Sequence, residues 1–107
     1  MSKADIETLL RAAFERRRHI AFDYDALPRE VVPGAYGPHV TTRNLVLRGY
    51  QIGGESRSQT VPFWKLFLIG RMSNLVVCDT EVDVAPLAFN PIGDEHIAPI
   101  ILKLDLK

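Results

Sequence analysis

The chain lacks several features that would mark a secreted, membrane-bound or disulfide-stabilised protein. It has one cysteine, Cys78, and therefore cannot form an internal disulfide; the run "NLVVC" around it favours packing over reactivity. No apolar run approaches the roughly 20 residues that span a bilayer. The first residues, "MSKADIETLL", do not have the pattern of a secretory signal. We therefore expect a cytoplasmic protein with no membrane partner.

Sequence signatures of catalysis and of metal binding are also missing. His19, His39 and His96 stand far apart and have no Cys or His at ligand spacing, so we expect no metal site. No serine occupies a G-x-S-x-G elbow. Gly53 and Gly54 are not followed by a helical pattern that would present its N-terminus to a phosphate. The expectation is a protein that is not an enzyme and holds no cofactor.

The chain does have an uneven charge distribution behind its net charge of zero. From Arg11 to Arg71, ten Lys or Arg stand against five Asp or Glu, whereas residues 72–107 hold two against six. A basic central region is the usual electrostatic footprint of a phosphate-bearing partner. Ordinary solvated faces explain such counts equally well, so both interpretations stay open.

Hydrophobic periodicity predicts one helix followed by short strands. Apolar residues recur at helical spacing after Ser2 and Asp5, which form a capping-box pattern. From residue 19 the period changes to 2, which is typical of strands, and glycines and prolines predict a loop at 34–42. The predicted strands cover residues 20–24, 29–33, 45–52, 64–69, 74–78, 81–85 and 100–106.

This order of elements indicates an α+β fold in one domain over residues 1–107. The N-terminal helix occupies residues 1–18, and about five to seven strands over residues 19–85 are expected to curl into a small β-barrel with few open edges. Residues 86–107 supply a C-terminal loop and a closing strand. That strand could complete the barrel or pair across a homodimer.

Cations alternate with aromatic residues on the central strands. Lys65 and Phe67 share one strand face, and Arg71 joins them if the extended geometry persists. Arg48 and Tyr50 form a similar pair on the neighbouring strand. Guanidinium groups bind phosphate oxygens and rings stack on bases, so the pattern is that of a nucleotide site. Alternatively, these long side chains cover the strands with their charged ends in water.

Several segments in this order resemble the WYL domain family. They read "IAFDY", "REVVP", "LVLRGY" and "KLFLIGRM", and the loop "GGESRSQTVPFW" is similar to that of short stand-alone members without a helix-turn-helix. The resemblance covers about residues 6–77. The naming triplet is here Leu45, Val46 and Leu47, so its tryptophan and tyrosine are missing. Lys65 stands where arginine is usual.

The resemblance implies an Sm-like or SH3-like barrel that senses a ligand or binds nucleic acid, as in bacterial transcription regulators. Phe67 would either line the implied groove or pack under it. In the loop, Ser56, Arg57 and Ser58 offer donors that we expect to fold over a bound phosphate, although an ordinary solvated loop is the alternative. The basic groove implied by the resemblance comprises Tyr24, Arg29, Arg48, Lys65 and Arg71.

Two functions follow as expectations. The first is a module that binds an anionic ligand, most simply a nucleotide or single-stranded nucleic acid. The second is a structural or protein-interaction barrel whose acidic C-terminal third docks a protein partner.

Overall fold

The N-terminal helix, α1, spans Lys3–Arg16, and the predicted capping box is confirmed. In the computed structural model, which describes residues 2–54, 63–82 and 95–104, the Ser2 hydroxyl accepts a hydrogen bond from the Asp5 N–H, and the Asp5 carboxylate accepts one from the Ser2 N–H. The residue that caps the end of the helix, Arg17, adopts a left-handed conformation with φ 56°. Its backbone N–H donates to the carbonyls of Ala13 and Phe14, as is common at helix C-termini.

The remaining elements form an antiparallel sheet, so the α+β class is confirmed. The strand order is β4-β3-β2-β1-β5, and β6 pairs with the second half of β2. A short 3₁₀ helix at Ile69–Arg71 connects β4 to β5. The strands are β1 (Arg18–Tyr24), β2 (Leu27–Pro38), β3 (Leu45–Gly54), β4 (Phe63–Leu68), β5 (Met72–Glu81) and β6 (Leu102–Lys103).

Over the residues that the structure describes, the sheet is strongly curved but does not close into a barrel. Within the described ranges, β4 and β5 are the two outer strands, and no strand pairing joins them. The curvature is nevertheless large enough for the Tyr24 hydroxyl on β1 to accept a hydrogen bond of 3.0 Å from the Leu68 N–H on β4. Strands β2 and β3 lie between them in the sheet. The predicted curling is therefore present, and the predicted closure is not.

Three predicted boundaries differ from the structure. The loop expected at 34–42 is wrong over residues 34–38, because β2 continues to Pro38 and buries residues 33–37 between β3 and the C-terminal segment. Residues 40–42 do form a turn. The strand expected to reach residue 69 ends at Leu68, where the 3₁₀ helix begins. Of the closing strand at 100–106, the described part is strand only at Leu102–Lys103, and most of the predicted strand at 81–85 lies outside the described residues.

The core lies on both faces of the sheet. The main cluster packs Ile6, Leu10 and Phe14 of α1 against the inner face of the sheet. A smaller cluster on the outer face joins Val46 to Ile97 of the C-terminal segment. Among the described residues, none belongs to a helix with the length and apolarity needed to cross a membrane.

Candidate functional site

Five of the predicted site residues converge at one end of the inner sheet face. The guanidinium carbon of Arg29 lies 5.5 Å from the centroid of the Tyr24 ring, the Lys65 ammonium lies 5.8 Å from it, and the Arg71 guanidinium carbon lies 5.0 Å from it. These distances are within the range of cation–π attraction. We call Tyr24, Arg29, Lys65, Phe67 and Arg71 the Tyr24 cluster.

Aromatic rings form the floor of the Tyr24 cluster. Phe67 is fully buried and meets Tyr24 edge to face, with centroids 5.0 Å apart and planes at 88°. It meets Phe22 in the same way at 5.1 Å. Tyr24 itself is only 3% exposed. Phe67 therefore packs under the site, and neither Tyr24 nor Phe67 has a free face on which a base could stack.

Arg29 is a buried cation with hydrogen-bond acceptors on two neighbouring strands. Its side chain is on β2, and the residue is 3% exposed. One terminal nitrogen donates to the Gln51 side-chain oxygen at 3.1 Å, and the other donates to the Tyr24 carbonyl at 3.2 Å. The guanidinium therefore ties β1, β2 and β3 together and places a fixed positive charge beneath the site.

Lys65 shares the aromatic floor with Arg29. Its ammonium lies 5.9 Å from the Phe67 centroid, and the guanidinium carbon of Arg29 lies 6.0 Å from the same point. Burial lowers the pKa of Lys65, and the positive charge of Arg29 lowers it further. Within the described residues Lys65 forms no ion pair. The site therefore holds a cation whose charge is opposed by its neighbour.

Arg71 lies at the rim of the Tyr24 cluster. Its side chain is 53% exposed, and its guanidinium forms an ion pair with the Asp25 carboxylate. The extended geometry on which its predicted placement depended does not persist, because residues Ile69–Arg71 form a 3₁₀ helix. That turn nevertheless brings the guanidinium over the Tyr24 ring. Arg71 is thus the most accessible cation of the cluster.

Arg48 does not belong to this site, so the expected groove that included it is wrong in that respect. The register between β3 and β4 pairs Arg48 with Leu66 and Gly49 with Lys65. Because neighbouring residues of a strand point to opposite faces, Arg48 and Lys65 lie on opposite faces of the sheet. There, Arg48 donates to the His96 Nδ1 at 3.0 Å. Its contact is with the C-terminal segment.

His39 and His96 form a stacked pair beside Arg48, which the sequence did not predict. Their ring centroids are 5.9 Å apart. The His39 Nδ1 accepts hydrogen bonds from the N–H groups of Thr41 and Thr42, at 3.0 and 3.3 Å. Because the Nδ1 of each ring is an acceptor, each neutral ring carries its proton on Nε2.

Cys78 is only half-buried on β5, whereas its apolar surroundings predicted a packed cysteine. Burial raises the pKa of its thiol, and the nearby carboxylates of Glu30 and Asp79 raise it further. Because the thiolate is the reactive form, these surroundings favour a packing role.

Two polar residues of the site were missed, and three predicted ones lie outside the described residues. Gln51 continues the buried alternation of β3, so a polar residue at that position was a signal for an internal hydrogen bond. Asp25 follows β1 directly at a positive φ of 54°, where a short acidic side chain is favoured. The predicted loop residues outside the described ranges are Ser56, Arg57 and Ser58.

Comparison with known proteins finds no match. No protein-family model matches the chain, and neither a curated protein nor a solved structure does. The contacts and charges of the Tyr24 cluster are therefore the basis for a functional proposal.

Proposed function

We propose that the chain is a non-enzymatic module that binds an anionic ligand, a nucleotide or single-stranded nucleic acid, at the Tyr24 cluster. The observation that carries the proposal is the placement of Lys65 beside Arg29 on the same two rings, with no ion pair to Lys65 among the described residues. Holding two partly desolvated cations together costs free energy. A bound anion would recover that cost, and such perturbed groups cluster at functional sites.

The cations have different roles in this proposal. Lys65 and Arg71 are accessible enough to contact a phosphate, and the planar guanidinium of Arg71 suits two phosphate oxygens. Arg29 is too buried to be a main contact, and it contributes through its charge. Asp25 competes with the ligand for Arg71, so binding exchanges one ion pair for another.

The proposal includes a regulatory role and membership of the WYL type, with an Sm-like or SH3-like sheet. The order of a helix and a curved antiparallel sheet supports it. So does the meeting of Tyr24, Arg29, Lys65 and Arg71, which the resemblance implied as ligand-binding residues. The open gap between β4 and β5 in the described ranges departs from a closed barrel.

The test is the salt dependence of binding to a short fluorescent oligonucleotide. If Lys65 and Arg71 each contact one phosphate, log affinity against log salt should have a slope of about −1.4, at about −0.7 per contact. Lys65→Gln should weaken binding and make the slope shallower by about 0.7. Arg16→Gln is the control, because it also removes one positive charge. Arg16 is the last residue of α1, just before β1, so the length of the seven-residue β1 separates it from Tyr24 by about 20 Å.

Two further outcomes decide the proposal. An oligonucleotide or mononucleotide at a hundred times its dissociation constant should raise the free energy of unfolding by about 2.7 kcal/mol. No stabilisation by either probe, or equal effects of the Lys65 and Arg16 variants, would contradict the proposal and favour the protein-interaction alternative.

A further inference from the structure

A separate cavity of about 280 Å³ opens between the start of α1 and the connection from β4 to β5. At about 30 Å³ per water molecule, it has room for about nine waters, the size of a small organic molecule. Its walls come from four parts of the fold: α1, the segment that begins β3, the end of β4, and the 3₁₀ helix. The lining residues are Lys3, Asn44, Leu45, Leu68, Gly70 and Arg71.

The charge of the lining favours an anion. Lys3 lies in the first turn of α1, where the helix dipole is positive, so its own charge is locally unfavourable. Among the described residues Lys3 forms no ion pair. Arg71 supplies a second cation, which is shared with Asp25. A negative group in the cavity would therefore interact favourably with Lys3 and Arg71.

The rest of the lining favours an apolar body next to that negative group. Leu45 and Leu68 contribute partly buried aliphatic side chains, and both pack against buried clusters of the core. Asn44 brings an amide that can donate and accept. Its backbone is fixed, because its N–H donates to the Thr42 hydroxyl and its carbonyl accepts from the His39 N–H. The cavity thus has one polar wall and one apolar wall on fixed backbone.

Gly70 lines this cavity and is exposed. A Cβ placed on Gly70 would meet no heavy atom within 4 Å, and its φ is outside the left-handed region that favours glycine. Glycine loses more conformational freedom on folding than other residues. Neither crowding nor backbone geometry requires glycine here, so a larger residue can replace Gly70 without a collision within the described fold.

We propose that this cavity binds a small organic anion with a short apolar body. The anionic group lies toward Lys3 and Arg71, and the body packs between Leu45 and Leu68. The site is separate from the Tyr24 cluster, although Arg71 borders both, and it does not depend on the proposed function.

The test follows the backbone amide resonances of Gly70 and Asn44 in the isotope-labelled full chain during titration with benzoate. Benzoate should shift both resonances to saturation, and the neutral isostere benzamide should not. Gly70→Leu, which places a side chain at the cavity, should abolish the shifts. Lys3→Gln should weaken benzoate binding about two- to fivefold, the range expected for one exposed charge pair. Lys65→Gln, in the other site, should leave benzoate affinity unchanged.

The contrary results are equally specific. Absence of saturation with benzoate overturns the site, and equal binding of benzamide overturns its preference for anions. If inorganic phosphate binds as tightly as benzoate, the proposed apolar contact with Leu45 and Leu68 is contradicted. Loss of benzoate binding in Lys65→Gln shows one joint site instead of two. If Gly70→Leu does not fold, Lys3→Gln still decides, because an unchanged affinity there contradicts the proposed contact.

Discussion

Replacing Phe67 by alanine separates a packing role from a stacking role. The ring has no exposed surface and makes edge-to-face contacts with Phe22 and Tyr24 at 5.1 and 5.0 Å. Loss of a buried phenyl ring costs about 3–5 kcal/mol of stability. Because two aromatic contacts, each worth about 0.5–1.5 kcal/mol beyond area burial, are lost with it, we expect a value in the upper half of that range.

Phe67→Leu is the matched control for this prediction. Leucine keeps much of the buried volume and loses the ring contacts, so we expect a cost of about 1–2 kcal/mol. Both variants can be measured by urea unfolding, followed by the fluorescence of the single tryptophan, Trp64. If Phe67→Ala costs less than about 1 kcal/mol of stability but weakens oligonucleotide binding by about 1–3 kcal/mol, the ring is a stacking platform and the packing argument is refuted.

Three other substitutions test electrostatics and close packing. The pKa of Lys65 in the folded chain is lowered from its ordinary value of 10.5. Between the lowered pKa and 10.5, the unfolded chain binds more protons than the folded chain, so the free energy of unfolding should rise with pH over this interval. Urea unfolding of Lys65→Met should lack this rise, and an unchanged pH profile would contradict it. Burial raises the pKa of Tyr36, and the charge and hydrogen bond of Glu7 raise it further, to about 12. Glu7→Gln should lower this pKa toward 10.0 without reaching it, because burial remains. The ultraviolet absorbance of tyrosinate measures the pKa, and an unchanged value would contradict the role of Glu7. Gly37→Ala should lower the free energy of unfolding by about 1–3 kcal/mol, measured with urea, because its Cβ would collide with the Pro99 carbonyl. An unchanged free energy of unfolding would contradict this and show that the C-terminal segment can move aside.

Local chemistry made the helix and most of the strands predictable. The Ser2 and Asp5 pair marks the start of α1, and the change of period after residue 18 marks the start of β1. Alternation also places Lys65 and Phe67 on one face. These features depend on residues close together in the chain, so they can be recognised without knowing the tertiary structure.

The position of Arg48 could not be predicted in the same way. Strand β3 buries both faces, since Val46 packs in the outer cluster and Leu47 in the main core. When both faces of a strand are apolar, alternation along the sequence does not show which face packs in the main cluster and which in the outer cluster. The register with the neighbouring strand decides this. The extension of β2 through Gly34 and Gly37 was missed for a related reason: the C-terminal segment, distant in sequence, supplies hydrogen bonds to that half of the strand.

Arg29 shows how the core and the candidate site depend on each other. The planar guanidinium of Arg29 donates to both the Gln51 side chain and the Tyr24 carbonyl while lying over the Tyr24 ring. A lysine ammonium is a compact point charge and does not offer this planar arrangement of donors. The guanidinium fixes the end of β1 that carries Tyr24, and so it fixes the ring that Lys65 and Arg71 share. In the proposed function, Arg29 therefore positions the Tyr24 ring and contributes its charge at longer range, and direct contact with the anion is assigned to Lys65 and Arg71. The proposed ligand would have to pair with Lys65 and displace Asp25 from Arg71, which favours a group with several negative oxygens over a single carboxylate.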